Sequence, residues 1–157
     1  MTNKIIGIQG DKLDKINISS DTSIFLAHEA QKLGYKIFYY NPSNLSIIKN
    51  KTYANGVFVK FNYERKKFYK IYKKQKIDVE NLKFILIRQD PPFNSEYLIT
   101  TLILDGLKKV KVINNPTAIR NVSEKLYSKH FIKFMPNTLF SNNIDEIKKF
   151  YKQNNNM

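Results

Sequence analysis

The chain has 157 residues, 42% of them hydrophobic, which is enough for one domain with an apolar core. It has no cysteine, which excludes disulfides, thiolate metal sites and cysteine nucleophiles, and no run near the ~20 apolar residues of a membrane-spanning helix. Twenty-seven basic residues against 13 acidic ones give a formal charge of +14, a value that fits either a polyanionic partner or a lysine-rich solvated surface. The amino terminus lacks the apolar core of a signal peptide, so the sequence reads as that of a cytoplasmic protein.

Residues 4–8 (Lys-Ile-Ile-Gly-Ile) predict a buried first strand, and the polar stretch 9–20 a loop after it. Ser19, Ser20 or Asp21 can cap the helix that follows, in which Leu26, Ala27, Ala30 and Leu33 form an apolar stripe and Gly34 ends the run. A second strand over 36–40 completes a βαβ unit, whose crossover is expected to be right-handed. Apolar clusters at 45–48, 52–53, 57–59 and Phe61 then predict short strands, with Asn55-Gly56 as the turn of a hairpin.

Residues 60–76 interleave lysines and Arg65 with Phe61, Tyr63, Phe68, Tyr69 and Tyr72, the pattern of single-stranded nucleic-acid binders. Phe68, Ile71 and Tyr72 fall at i, i+3 and i+4, however, which predicts a helix over 63–74 with one apolar face and its lysines in solvent. On that spacing the solvated face is preferred to a nucleic-acid site.

The apolar run 84–87 predicts a strand buried on both faces, as in parallel sheets, and it leads into Arg88-Gln-Asp-Pro-Pro-Phe93. Strand carboxyl ends are where open α/β sheets bind ligands. Arg88 offers a planar fork of donors for carboxylate or phosphate, Asp90 an acceptor, and the prolines fix the backbone around them. The competing reading is a surface turn in which Arg88 and Asp90 pair with each other. A helix over 95–109 with the stripe Leu98, Ile99, Leu102, Ile103 and Leu107, a strand over 110–114 and a polar loop over 114–117 complete a second βαβ unit. The expected fold is α/β: an open, mainly parallel sheet of at least four strands with helices on both faces, plus a small antiparallel hairpin excursion. Beyond it, helical runs are predicted over 123–131 and 145–152, with Pro136 between them, a strand over 138–140, Asn143 as a cap and a polar tail over 153–157. His28 and His130 read as solvated, and two distant histidines make no metal site.

The segments 87–93 (Ile-Arg-Gln-Asp-Pro-Pro-Phe), 114–116 (Asn-Asn-Pro), 119–126 (Ile-Arg-Asn-Val-Ser-Glu-Lys-Leu) and 136–139 (Pro-Asn-Thr-Leu) together resemble the amino-terminal part of the bacterial glutathione synthetases, ATP-grasp ligases. Asn17-Ile18, Asp21-Thr-Ser23 and Glu-Ala-Gln-Lys-Leu-Gly-Tyr35 extend the resemblance over nearly the whole chain. The resemblance implies a Rossmann-like pre-ATP-grasp domain over 1–122 and the start of an ATP-grasp domain over 123–157. It implies a ligase that joins γ-glutamylcysteine to glycine, in which ATP phosphorylates the cysteinyl carboxylate, the glycine amine attacks the acyl phosphate, and Mg2+ neutralises the phosphates. Lys125 matches the family lysine that reaches the ATP phosphates, and Arg88 matches an arginine near the peptide substrate and the subunit contact, with Asp90 to orient it. Asp21 and Ser23, at a helix start on the same sheet edge, lie beside amides able to receive a carboxylate, although N-capping explains them equally. Asn121 and Ser123 depart from the Asp and Asn more usual in the family.

None of the five glycines lies beyond position 106, so the family's glycine-rich phosphate loop, its magnesium ligands and its catalytic residues have no match here. The resemblance therefore implies a truncated synthetase that does not catalyse by itself and whose complete form is a homo-oligomer. Two alternatives stand beside it: another ATP-grasp carboxylate–amine ligase, and a basic module using 60–76 on nucleic acid or an anionic surface.

Overall fold

The computed structural model describes residues 4–62, 67–123 and 125–154. Tyr63, Arg65, Lys66, Glu124 and the tail beyond 154, all used in the sequence reading, lie outside the described residues. The chain divides into two units, 1–120 and 121–157.

In the first unit, β1 (Ile5–Gln9) lies between two parallel neighbours, β2 (Lys36–Tyr40) and β6 (Phe84–Ile87), and β7 (Lys111–Ile113) continues the parallel set beyond β6. Helix α1 (Thr22–Lys32) connects β1 to β2, and α2 (Ser95–Asp105) connects β6 to β7. On the far side of β2 the sheet turns antiparallel. The long β4 (Lys51–Phe61) pairs along one edge with β2 and β3 (Leu45–Ile48), and along the other with β5 (Tyr69–Asp78), giving seven strands in one mixed sheet. The α/β architecture with a mainly parallel core and an antiparallel excursion is as expected.

Alternation along the strands divides the core in two. Ile6, Ile8, Ile37, Tyr39, Val59 and Phe61 pack with Ile24 and Ala27 of α1 on one face; Phe38, Tyr40, Phe58, Ile85 and Ile87 pack with Leu104 of α2 on the other. Both faces are covered, which is why the central strands are unbroken apolar runs. Each fully buried aliphatic contributes about 1.5–3 kcal/mol.

Several expectations are corrected by the packing. Asn55-Gly56 is no turn but lies inside β4; the hairpin between β3 and β4 turns at Lys49 and Asn50, whose φ values are 47° and 62°. Gly56 is required by close approach: a Cβ there would lie 2.5 Å from the Tyr39 carbonyl oxygen and 2.6 Å from the Phe38 ring. From Tyr69 on, the basic segment predicted as a helix over 63–74 is strand β5, because the outer edge of β4 offers it a ladder over nine residue pairs, with a bulge between Phe58 and Val59. Three apolar side chains at helical spacing could not compete with that pairing.

The helix stripes are rotated from their expected positions. α1 buries Ser23, Ile24 and Ala27 while Leu26 and Leu33 are exposed, and α2 buries Thr100, Thr101 and Leu104 while Leu98, Ile99 and Leu102 are exposed. The threonines tolerate burial because their hydroxyls donate to the carbonyls of Tyr97 (2.9 Å) and Leu98 (2.7 Å) one turn back. The loop predicted over 114–117 instead opens a short helix, α3 (Pro116–Asn121), with proline in its first turn and Asn115 Oδ1 accepting from the Ala118 amide at 2.9 Å.

In the second unit, a 3-10 helix (Leu126–Phe134), kinked at Phe131, ends before Pro136, and α4 (Ile144–Gln153) follows. Asn143 caps α4 as expected, its Oδ1 accepting from the Asp145 and Glu146 amides. No strand forms over 138–140; the Thr138 hydroxyl donates to the Pro136 carbonyl at 2.7 Å, closing a local turn.

Candidate functional site

A polar cleft of about 200 Å³ opens at the carboxyl ends of β1 and β6, against the first turn of α1. It contains four of the side chains singled out in the sequence, Asp21, Ser23, Arg88 and Asp90, together with Asp11, Asn17, Thr22 and Tyr39.

The Arg88 amide donates to the Gln9 carbonyl at 2.7 Å, extending the β1–β6 ladder one residue past β6. Its guanidinium then crosses to α1, where Nε donates to Ser23 Oγ at 2.9 Å and Nη2 to Thr22 Oγ1 at 2.7 Å. Ser23 is buried, so the guanidinium is held against a fixed acceptor. The helix start is prepared by Asp21, whose Oδ1 accepts from the Ser23 amide at 2.6 Å and the Ile24 amide at 3.4 Å. The N-capping account of Asp21 is thus the one the bonds show, and those two amides are occupied.

Asp90 and Arg88 do not form the ion pair of the competing surface-turn reading, nor does Asp90 orient Arg88 through one: among the described residues, the ion pairs are Lys32–Glu29 and Arg120–Asp105. The proline loop is anchored by Asp11 instead, whose Oδ2 accepts from the Asp90 amide at 2.9 Å. Tyr39 Oη donates to the Asp11 carbonyl at 2.7 Å. Burial first, then the negative charges of Asp21, Asp11 and Asp90, push the Tyr39 phenol far above its ordinary range, so it remains a donor. Gly10 is needed because the Tyr39 hydroxyl occupies the space a side chain at that position would take. Beside the cleft, the fully buried Gln9 donates through Nε2 to Gln89 Oε1, tying the end of β1 to the loop, and Gln9 Oε1 is buried without a partner in the structure. The cleft thus gathers Arg88 and Lys15 with Asp11, Asp21, Asp90 and the neutral Tyr39 phenol, and the buried Gln9 lies beside it.

Asp11, Thr22, Tyr39 and Gln9 were missed from the sequence. Asp11 carried the only available signal, an acid immediately after the first strand on the edge where Arg88 lies. Tyr39 sits mid-strand, and its part in the cleft depends on which strand β2 pairs with.

Lys125 belongs to the second unit, where it is exposed and its carbonyl accepts from the Ser128 amide (3.1 Å) and hydroxyl. Ser123 supplies the hydrogen bonding around it, accepting from the Leu126 amide at its side chain and the Tyr127 amide at its carbonyl. His130 is exposed, its ring 5.0 Å from that of Tyr127. His28 is half-buried and lines a separate groove, not solvent as expected. Among the described residues no group of three or more His, Asp or Glu side chains gathers to hold a metal ion, so these residues do not fit a magnesium site.

Residues 5–120 match the family model for prokaryotic glutathione synthetase, N-terminal domain. The glutathione synthetase of Mesorhizobium japonicum is 34% identical over 149 residues, 94% of this chain and 48% of that protein. That of Buchnera aphidicola subsp. Schizaphis graminum is 34% identical over 154 residues, 97% of this chain and 48% of that protein. That of Agrobacterium fabrum is 32% identical over 148 residues, 94% of this chain and 46% of that protein. The chain spans about half the length of the curated relatives it matches.

Proposed function

Because the chain belongs to the prokaryotic glutathione synthetase family and corresponds to its amino-terminal domain, we propose that the cleft at Arg88 receives γ-glutamylcysteine for ATP-dependent ligation to glycine through an acyl phosphate. The observation that carries this reading is the pairing of a fixed guanidinium with a carboxylate cluster in one cleft. The γ-glutamyl end of the dipeptide bears one carboxylate and one ammonium on the same carbon, and the cleft offers a partner for each. Arg88 takes the carboxylate in this reading. Asp90, beside Asp11, faces the ammonium, while Asp21 and Ser23 hold the helix start and the guanidinium in place.

Lys125, a mobile ammonium in the second unit, is the residue we assign to the ATP phosphates, and we assign 123–157 to the start of the ATP-grasp domain. Mg2+, which the family uses, would neutralise those phosphates; no step is routed through residues of this chain, which do not make its site. We place the reaction in the cytoplasm of a bacterial cell, in a homo-oligomer, for which the exposed Leu98, Ile99 and Leu102 of α2 supply apolar surface.

Isothermal titration of the 157-residue chain with γ-glutamylcysteine tests the reading. Binding is expected, weakened at least tenfold by Arg88→Ala, with no ADP formed when ATP, Mg2+ and glycine are added. Equal affinity in the Arg88→Ala protein would overturn the assignment of the cleft, and robust turnover the view that these residues bind without catalysing.

A further inference from the structure

Three buried side-chain atoms have no hydrogen-bond partner among the described residues: Gln9 Oε1, Tyr40 Oη and Arg120 Nη1. The first two belong to neighbours. Gln9 ends β1 and Tyr40 ends β2, and they are register partners in the parallel ladder, on strands about 4.8 Å apart. Alternation puts both side chains on the face covered by α2. Tyr40 packs there with Phe38 and Ile85, and a Cβ on Gly7, two residues before Gln9, would lie 3.7 Å from Tyr40 Cε1, so the ring leans over β1. Gln9 is 0% and Tyr40 1% exposed, a depth at which a polar group is destabilising unless it is bonded.

The two atoms are complementary. Gln9 Nε2 already donates to Gln89 Oε1, which leaves Gln9 Oε1 as an acceptor. Burial raises the Tyr40 phenol above its ordinary range, so Oη keeps its proton and is a donor. A water that accepts from Oη and donates to Oε1, with each bond about 2.8 Å long, spans roughly 5 Å, the separation of the two strands.

The same row leads to the cleft. Ile87 is the register partner of Gln9 on β6 and packs on the α2 face, whereas Arg88 reaches α1 on the other face. Gln89 returns to the side of Gln9, and Asp90 lines the cleft beside Arg88. Gln89 thus lies between the two residues that the cleft uses and is held from behind. Neither Gln9 nor Tyr40 lines the cleft.

We propose that one buried water joins the Tyr40 hydroxyl to Gln9 Oε1, and that Tyr40, this water, Gln9 and Gln89 form a clamp that holds Arg88 and Asp90 in place from the opposite face of the sheet. Tyr40 and Gln9 are positioning residues, since they act on the cleft only through Gln89. The clamp does not depend on what the cleft binds; its effect on γ-glutamylcysteine affinity rests on the reading proposed above.

A double-mutant cycle of Tyr40→Phe and Gln9→Met in the 157-residue chain tests it, because each variant keeps the side chain's bulk and removes one end of the bridge. Both are expected to lower the denaturation midpoint, and the double variant to lower it no further than Gln9→Met alone. The Asp90 amide, which donates to Asp11, is expected to exchange its hydrogen about fivefold faster in either variant, and γ-glutamylcysteine to bind several-fold more weakly. Val79→Ala, in the same apolar cluster but before the amino end of β6, is the control: a lower midpoint, with Asp90 exchange and dipeptide affinity as in the parent. A high-resolution crystal structure is expected to show one ordered water bonded to both atoms. Four results would each overturn the proposal: Tyr40→Phe as stable as the parent or more so, additive losses in the double variant, parental Asp90 exchange in both single variants, or apolar side chains packed against both oxygens in the crystal. A parent chain that does not bind γ-glutamylcysteine would refute the reading of the cleft alone, because the cycle and the exchange measurement decide the clamp without ligand.

Discussion

Tyr39 links the core to the cleft. Its ring is buried among Ile37, Val59 and Phe61, and its hydroxyl holds the Asp11 carbonyl at 2.7 Å, next to the carboxylate that anchors Asp90. Tyr39→Phe keeps the ring and removes the bond, so it is expected to cost about 0.5–1.5 kcal/mol of stability. It should also weaken γ-glutamylcysteine binding several-fold, because the Asp11–Asp90 bond loses its brace. Chemical denaturation and calorimetric titration of the same protein measure both. A drop in stability with unchanged affinity would confine Tyr39 to the core. Arg88 illustrates how far one residue can be read from sequence. Its place at a strand's carboxyl end follows from the apolar run before it, but its partners do not: Asp90 is two residues away, whereas Ser23 and Thr22 are 65 and 66 residues away.

Among elements, the β3–β4 hairpin separates local signal from tertiary demand. Asn-Gly at 55–56 is a strong turn signal, but the turn is at Lys49 and Asn50, and Gly56 is spent on contact with β2. Lys49→Asn with Asn50→Gly is therefore expected to raise the melting temperature slightly. Gly56→Ala is expected to lower stability by about 1–3 kcal/mol through overpacking, at the upper end because one opposing atom is backbone. Thermal unfolding of the two variants should give shifts of opposite sign, and shifts of the same sign would refute the placement of the turn.

The junction of α2 and α3 carries a pH signature. Asp105 accepts from Arg120 Nη2 at 2.7 Å and from the Thr117 hydroxyl at 3.0 Å, and the Arg120 bond foremost holds its carboxyl below the usual aspartate range. A depressed pKa stabilises the folded state above the unfolded value of ~3.9 and the benefit is lost as pH falls through the folded value. Asp105→Asn should thus lower the melting temperature at pH near 7, with the difference from the parent shrinking below pH ~4. A difference that stays constant to low pH would show that the carboxylate's charge is not what matters.

For the whole molecule, the division at 120 and 121 coincides with the end of the family match at residue 120. The core clusters of the sheet lie within the first unit, so a fragment of residues 1–120 is expected to fold cooperatively and, on the reading proposed for the Arg88 cleft, to match the 157-residue chain in γ-glutamylcysteine affinity. Far-UV circular dichroism on heating and the same titration check this; a fragment without a cooperative transition would show that 121–157 is needed for the fold.

By itself the sequence determined the α/β class, both βαβ units, the strand ends that carry the cleft and the ligase family, because apolar runs, glycine and proline stops and spaced motifs are properties of consecutive residues. Tertiary structure alone decided that the basic segment is a strand, which residues of α1 and α2 face the core, and that Arg88 is held by the first turn of α1 rather than by Asp90. Each of those outcomes depends on a partner tens of residues away: β4 for β5, the sheet for the helix faces, Ser23 for Arg88. Local spacing carries no information about such partners until the sheet has brought them together.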